Sequence, residues 1–224
     1  MTDASVTWRH RIDLPNIGDT DGFKTPAIDL TRARVPTSLA GERLLDVGCS
    51  DGGHSFLCER RGATVTGLDD QSSPRNEGRN NFEFARDKLA SSATYVHGTT
   101  VDFAASTDET FDRILHFNVL YHVISPTQEA QALRSLLKPG GRLHLKTRVS
   151  SPLPTKANQY VPLALWRRVP PTMKALDDGL EGDPTCFFLP SVTGVEMLLR
   201  DAGFRDVECL AVRLDRAWFT ATAP

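Results

Sequence analysis

The chain has 224 residues, of which 40% are hydrophobic and 24% are charged. This size and composition predict one globular α/β domain over residues 1–224 with a core of its own. Its 26 basic and 28 acidic residues leave a net charge of −2. The surface as a whole therefore lacks the positive field on which nucleic-acid binding draws. We expect a small-molecule substrate, and RNA only where a local basic patch exists.

The amino-terminal residues 1–15 are charged and lack the apolar segment of a signal peptide, and no later run approaches the roughly 18 apolar residues of a membrane helix. We therefore expect a cytoplasmic protein that does not enter the membrane. The four cysteines show neither C-x-x-C spacing nor the density of a disulfide framework, and none of the six histidines lies in an H-E-x-x-H motif. The sequence predicts four reduced thiols and no metal site.

Apolar runs alternate with amphipathic stretches, the pattern of repeated βα units around a mostly parallel sheet. Five strands, buried on both faces, are predicted at Arg43–Val47, Thr64–Leu68, Thr94–His97, Arg113–Phe117 and Arg142–Thr147. Helices are predicted between them, at Gly53–Arg61, Glu77–Ala90 and Thr127–Leu137, the last closing at the sequence Lys138-Pro139-Gly140-Gly141.

The carboxyl-terminal part predicts a helix at Val192–Ala202 and a closing antiparallel hairpin formed by Asp206–Val212 and Arg216–Ala221. The result is a seven-stranded, doubly wound, Rossmann-like sheet. Ser150–Pro190 contains seven prolines and no clean period, so we expect an irregular insertion over the ligand pocket. The first 40 residues are expected to cover the pocket from another side.

The first predicted strand leads into a glycine-rich turn that opens a helix, and ligands of open α/β sheets bind at such strand ends. Gly48 and Gly52 tolerate positive φ and allow close approach to the main chain. Ser50 replaces the second glycine of the dinucleotide motif G-x-G-x-x-G. Asp46 would repel a pyrophosphate but attract an ammonium group. These features favour a ligand with a cationic amino-acid end over a nicotinamide dinucleotide.

Acidic residues follow the next two strands as well. Asp69 comes 23 residues after Asp46, about the spacing of a carboxylate that binds ribose hydroxyls. Asp102, after the third strand, is a candidate acceptor for an adenine amine. Phe117, the last residue of the fourth strand, is a further candidate for the same site.

The stretch Leu44–Gly53 resembles the first motif of the class I S-adenosylmethionine-dependent methyltransferases, an acidic residue followed by alternating glycines, with Ser50 as the departure. A closer resemblance links the chain to the branch that contains the bacterial tRNA wobble-uridine 5-oxyacetate synthases and their short relatives. The segments that carry it are Trp8–Pro15, Leu45–Phe56, Glu59–Ala63, Asn81–Ala85, Val119–His122 with Pro126, and Phe188–Ser191.

The resemblance implies a sulfonium donor. In that branch, a tyrosine of the L-Y-H motif and an arginine near the carboxyl end hold a carboxylated donor, and Tyr121 and Arg216 stand at the matching places. A lysine of that pocket lies upstream, where Lys24 is available here. The long amino-terminal extension of the tRNA enzymes has no counterpart in the sequence, which argues against an RNA substrate. Because the match to the carboxylate pocket is partial, we expect S-adenosylmethionine itself as the donor, with carboxy-S-adenosylmethionine second.

Methyl transfer from a sulfonium mainly requires alignment, which contributes roughly 7–11 kcal/mol in favourable cases. An alcohol acceptor must also lose a proton, and a histidine base contributes about 10²–10⁴-fold. His122 is the first candidate, because it follows the strand whose end faces the methyl group in this fold, and His10 is the second.

Two alternative functions stay open. One is carboxymethyl transfer to tRNA wobble uridine, and the other is a donor-binding module without catalysis.

Overall fold

The structure is a computed structural model that describes residues 7–71, 78–151 and 160–224. Within these ranges, the strands in chain order are β1 (Asp13–Leu14), β2 (Gly18–Asp19), β3 (Arg43–Val47), β4 (Thr64–Asp69), β5 (Thr94–His97), β6 (Phe111–Phe117), β7 (Leu137–Arg148), β8 (Met173–Ala175), β9 (Phe188–Pro190), β10 (Arg205–Arg213) and β11 (Arg216–Thr222). The helices are α1 (Pro26–Arg32), α2 (Gly53–Arg60), α3 (Gly78–Leu89), α4 (Thr100–Ser106), α5 (Pro126–Ser135), α6 (Leu163–Trp166) and α7 (Val192–Asp201), with a 3₁₀ turn at Leu120–His122.

The central sheet has the strand order β10-β11-β7-β6-β3-β4-β5. The five strands from β7 to β5 in this order pair parallel, whereas β11 pairs antiparallel with both β7 and β10. The predicted fold class is therefore confirmed, including the closing hairpin. The order reverses direction on either side of β3, and such a switch point opens a crevice at the carboxyl ends of the strands.

Helices cover both faces of the sheet. The core therefore consists of two apolar clusters, one on each face. One lies under α5 and α7 and contains Leu133 and Leu199, and the other lies under α1 and α2 and contains Leu30 and Phe56. Trp8 from the amino-terminal segment is buried in the second cluster. In the part of the chain that the structure describes, no helix is long and apolar enough to cross a bilayer.

Two predicted strands have the expected bounds, Arg43–Val47 and Thr94–His97. The largest difference is at β7, which begins at Leu137 instead of Arg142. The segment predicted to close the preceding helix belongs to the sheet instead, because Gly140 donates to the Ala223 carbonyl at 3.1 Å and Ala223 donates to the Gly141 carbonyl at 2.9 Å. Consequently α5 ends at Ser135, two residues before the predicted end.

The sequence did not predict α1 or α4, nor the short elements α6, β8 and β9 inside the expected irregular insertion. Pro26 starts α1, and Thr99 caps α4 by accepting the Asp102 N–H at 3.1 Å. Three parts of the predictions lie outside the described residues: 1–6 of the covering segment, 77 at the start of the predicted helix, and 152–159 of the insertion.

Candidate functional site

A cleft lies over the carboxyl ends of β3, β4 and β6 and contains two adjoining cavities. The first, of about 100 Å³, faces the amino-terminal segment, and the second, of about 510 Å³, faces the start of α4. The two cavities share the lining residues Gly48, Asp69, Asp70, Val119 and His122. The shared wall is therefore the glycine-rich turn with the residues that follow β4 and β6.

The glycine-rich turn has the backbone conformation that its sequence predicts. Gly48 and Gly52 have φ of +69° and +82°, and Ser50 adopts a left-handed φ of +52°. A β-carbon on Gly48 would lie 2.3 Å from Cγ2 of Val119. Glycine at this position therefore allows the main chain of the turn to approach the segment that follows β6.

Asp69 lies at the end of β4 and is buried. Its Oδ2 accepts the Ser50 N–H at 2.8 Å, and its Oδ1 accepts the Gln71 N–H at 2.7 Å. These bonds fix the carboxylate on the cleft wall. Because an ionised carboxylate has about four acceptor positions, the residue fits a pair of ribose hydroxyls, as its spacing predicts.

Four residues predicted for the donor site do not line either cavity: Asp46, Gly52, Asp102 and Arg216. Asp46 lies beneath the turn, where its carboxylate accepts the Ser55 hydroxyl at 2.6 Å and burial raises its pKa. Gly52 is the N-cap residue of α2 and packs against Phe56. Asp102 is exposed and pairs with the cap residue Thr99, because side chains in the first turn of a helix point back toward its cap. At that end of the second cavity, the lining residues are Thr99, Thr100 and Val101.

The first cavity has a cationic side. Lys24 lines it, and burial together with the charges of Arg9, Lys146 and Arg216 lowers the pKa of Lys24 to about 7. Tyr121 lines it too, whereas Arg216 lies behind Tyr121, with its guanidinium carbon 5.7 Å from the ring centroid. Of the pocket implied by the resemblance, the structure brings the lysine and tyrosine to the cavity and the arginine to its outer side.

A buried ion pair joins β7 and α1 near the cleft, and the sequence did not predict this pair. Lys146 on β7 donates to both carboxylate oxygens of Asp29 on α1, at 2.8 and 2.9 Å, and the His54 imidazole lies 3.5 Å from the same carboxylate. Burial acts to raise the pKa of Asp29, but the nearby imidazole and ammonium outweigh it and hold the pKa far below its usual range. The partners are 117 residues apart, so no local motif indicates them.

Both histidines proposed from the sequence line the first cavity, and His122 lines the second as well. Nδ1 of His122 lies 3.1 Å from the Thr185 carbonyl oxygen and 2.9 Å from its hydroxyl. Because the carbonyl only accepts, Nδ1 carries the hydrogen and Nε2 is unprotonated. Burial lowers the pKa of His122. Phe117 also lines the first cavity, with its ring edge-on to His54 at 5.1 Å.

The side chains of His122, Asp183 and Cys186 have metal-ligating atoms within 4.8 Å of one another. The Thr185 hydroxyl lies between two of them, because it contacts His122 at 2.9 Å and donates to Asp183 at 2.5 Å. The Thr185 hydroxyl therefore links His122 and Asp183 in a hydrogen-bond network. The expectation of no metal site stays a prediction.

The switch-point cleft, the glycine-rich turn and the buried carboxylate after β4 define a class of α/β protein that binds a nucleoside across the ends of its strands. Residues 22–209 match the family model described as a methyltransferase domain. The chain belongs to this methyltransferase family, which confirms, at the level of the family, the resemblance of Leu44–Gly53 to the class I S-adenosylmethionine-dependent methyltransferases.

Individual proteins agree with this assignment. The tRNA U34 carboxymethyltransferase of Pseudomonas paraeruginosa is 31% identical over 189 residues, which cover 82% of this chain and 51% of that protein. The ubiquinone biosynthesis O-methyltransferase of Vibrio parahaemolyticus is 35% identical over 109 residues, 49% of this chain and 45% of that protein. The chain thus spans about half the length of the curated relatives it matches.

A solved structure shares the fold. The 1,6-didemethyltoxoflavin-N1-methyltransferase of Burkholderia thailandensis, crystallised with bound 1,6-didemethyltoxoflavin and S-adenosylhomocysteine, superposes with a TM-score of 0.59 at 16% identity. The superposition covers 88% of this chain and 76% of that one. This likeness supports the seven-stranded architecture.

Proposed function

We propose that the protein transfers a methyl group from S-adenosylmethionine to an oxygen or nitrogen atom of a small-molecule acceptor. The observation that carries this proposal is the form of the first cavity. Arg9, His10 and Lys24 of the amino-terminal segment close the cleft opposite the glycine-rich turn and leave a cavity of about 100 Å³. A space of this size matches a small reactive group.

The second cavity suits the nucleoside part of the donor. Its volume of about 510 Å³ lies within the range of about 300–1,000 Å³ usual for ligand pockets. Asp69 on its wall binds the ribose hydroxyls, and the Thr99–Val101 segment lies at the adenine end. The residues shared by both cavities, Gly48 and Val119 among them, would then hold the sulfonium part of the donor. From there the donor would supply its methyl group to an acceptor in the first cavity.

When bound, the donor supplies an activated methyl carbon whose bond to sulfur breaks as the acceptor atom attacks in line. The protein's own residues align the acceptor on that axis. Tyr121, Phe117 and the segment that carries His10 surround the acceptor and exclude water, which strengthens every electrostatic contact in the cavity. A histidine whose Nε2 is unprotonated takes the proton from a hydroxyl acceptor.

A labelled-methyl assay tests the acceptor class. The purified protein is incubated with methyl-tritiated S-adenosylmethionine and either the ultrafiltered small-molecule fraction of a bacterial lysate or bulk bacterial tRNA. We expect protein-dependent label in the small-molecule fraction. Label confined to tRNA, or no transfer to either, contradicts the proposal, and protein inactivated by heat is the control.

A second candidate function is carboxymethyl transfer from carboxy-S-adenosylmethionine to tRNA, the activity implied by the tRNA U34 carboxymethyltransferase relatives. The specific observation in its favour is the cationic side of the first cavity. Lys24 and Tyr121 line the cavity, with Arg216 beside the tyrosine ring, and a donor carboxylate there would compensate the buried positive charge.

The Arg216→Ala variant separates the two donors. Because Arg216 lies behind Tyr121 and we propose S-adenosylmethionine as the donor, we expect calorimetry to show similar losses of affinity for the two donors, within about threefold of each other. Arg205→Ala, an exposed arginine on β10, is the matched control. A loss at least about tenfold larger for the carboxylated donor, the size expected when its extra charge loses a direct partner, would favour the second candidate.

A further inference from the structure

His10 and Asp51 form a buried pair between the amino-terminal segment and the glycine-rich turn. Nδ1 of His10 is in short hydrogen-bond contact with Oδ1 of Asp51, and the two side chains are 4% and 1% exposed. Oδ2 of the same carboxylate accepts the backbone N–H groups of Arg9 at 2.6 Å and His10 at 2.9 Å. These three contacts therefore fix the His10 imidazole relative to the glycine-rich turn.

The residues around His10 leave room for its imidazole ring and hold its main chain in place. A β-carbon on Gly53 would lie 2.4 Å from Cβ and 2.5 Å from Cγ of His10, so only glycine leaves room for the imidazole at the start of α2. The Thr20 hydroxyl donates to the His10 carbonyl at 2.6 Å and accepts the Ile12 N–H at 3.0 Å. The His54 ring packs edge-on at 4.6 Å.

The contact with Asp51 sets the tautomer of His10. Burial acts to raise the pKa of Asp51, but the His10 ring and the two backbone N–H groups outweigh it, and the net pKa is lowered. An ionised carboxylate only accepts hydrogen bonds, so Nδ1 must carry the hydrogen. In the neutral ring, Nε2 is then the proton-accepting nitrogen of a side chain that lines the first cavity.

His122 presents an unprotonated Nε2 as well, but its Nδ1 hydrogen is held by a neutral carbonyl and a hydroxyl of Thr185. The charge that develops on a base is stabilised far better by a carboxylate partner than by a neutral one. The histidine–carboxylate arrangement is the one that orients and stabilises an imidazolium in serine hydrolases. Of the two histidines, His10 is therefore the better equipped to accept a proton.

We propose that His10 is the catalytic base of this methyltransferase, that Asp51 is the positioning residue that holds it in the active tautomer, and that the acceptor atom is a hydroxyl oxygen. The inference rests on the proposed function and names its acceptor class. As the oxygen–carbon bond forms, the carbon–sulfur pair of electrons stays on sulfur and the hydroxyl proton moves to Nε2. Positive charge passes from the sulfonium to the imidazolium, which faces the Asp51 carboxylate.

The first test reads the tautomer without turnover. In the full chain with S-adenosylhomocysteine bound, ¹⁵N-detected NMR of the imidazole nitrogens, assigned with the His10→Gln variant, should show a protonated Nδ1 and an unprotonated Nε2 for His10. In Asp51→Asn, whose amide can donate to Nδ1, the tautomer should invert or become mixed. A wild-type ring with the hydrogen on Nε2 overturns the assignment.

The second test uses the labelled-methyl assay with the small-molecule fraction. We expect His10→Gln to lower turnover by about 10²–10⁴-fold, with the Kd for S-adenosylhomocysteine within about threefold of wild type. Added imidazole should restore turnover in His10→Gly in proportion to its concentration, which a merely structural histidine would not permit. His97→Gln, an exposed histidine that lines neither cavity, is the matched control.

The outcomes separate the two proposals. The role of His10 is overturned if the wild-type protein is active and the His10 variants keep their turnover. It is also overturned if the His10 variants lose turnover that imidazole does not restore, while His122→Gln loses more. A wild-type protein that transfers no methyl group to the small-molecule fraction contradicts the proposed function instead, and the NMR measurement still decides whether Asp51 sets the tautomer of His10.

Discussion

An Asp69→Ala protein is expected to bind S-adenosylmethionine at least about tenfold more weakly than the wild type, measured by titration calorimetry. Each charge-assisted hydrogen bond to a ribose hydroxyl contributes roughly 1.5–3 kcal/mol, so the loss of two amounts to roughly 3–6 kcal/mol, which is more than about a hundredfold in affinity. The substitution also removes the acceptor of the Ser50 and Gln71 N–H groups. The glycine-rich turn therefore loses an anchor at the same time as the donor loses a partner.

Asp102→Ala is the matched control, because the sequence placed this carboxylate at the adenine while the structure has it exposed and outside both cavities. The affinity of Asp102→Ala for S-adenosylmethionine should stay within about threefold of the wild-type value. Unchanged binding by Asp69→Ala, or an equal loss by the two variants, would contradict the assignment of the ribose to Asp69.

Lys146→Met is expected to destabilise the fold by about 3–5 kcal/mol, because it leaves the buried Asp29 carboxylate without its ammonium partner. Chemical denaturation with urea at neutral pH measures the change. The Lys146→Met/Asp29→Asn double variant should recover most of the loss, since it removes the uncompensated charge. Equal stabilities of the single and double variants would show that the ion pair is not what the Met substitution disrupts.

The pH dependence of this effect follows from the lowered pKa of Asp29. A carboxyl group with a lowered folded-state pKa stabilises the fold above its unfolded pKa, near 3.8, and that contribution is lost as the pH falls toward the folded value. The difference between wild type and Lys146→Met should therefore be largest near neutrality and shrink below about pH 4. A difference that grows in acid would contradict the ion-pair explanation.

The elements predicted best from the sequence are those whose burial leaves a pattern in neighbouring residues. The strands β3 and β5 have the predicted bounds, because parallel strands covered on both faces are short and uniformly apolar. The start of β7 was missed, because Pro139-Gly140-Gly141 has the composition of a loop, and its pairing with Ala223 is a contact across the sequence. Local composition cannot report such a contact.

The same distinction applies to the site. Gly48 and Asp69 were predicted in the cleft because their roles depend on position along one βαβ unit. The Asp29–Lys146 pair and the contact between His10 and Asp51 join segments distant in the chain, so neither has a sequence spacing that predicts it. Asp51 lies inside the glycine-rich motif, but its partner His10 lies 41 residues earlier in the chain. The contact is therefore visible only in the folded structure.

Mass spectrometry of the small molecules that stay bound to the purified wild-type protein tests the central claim most directly, because the second cavity and the wall that the two cavities share are assigned to one sulfonium donor. We expect S-adenosylmethionine or S-adenosylhomocysteine at close to one equivalent, and much less from Asp69→Ala purified in parallel. Retention of a nicotinamide dinucleotide would contradict the donor site itself, and retention of carboxy-S-adenosylmethionine would contradict the choice of donor.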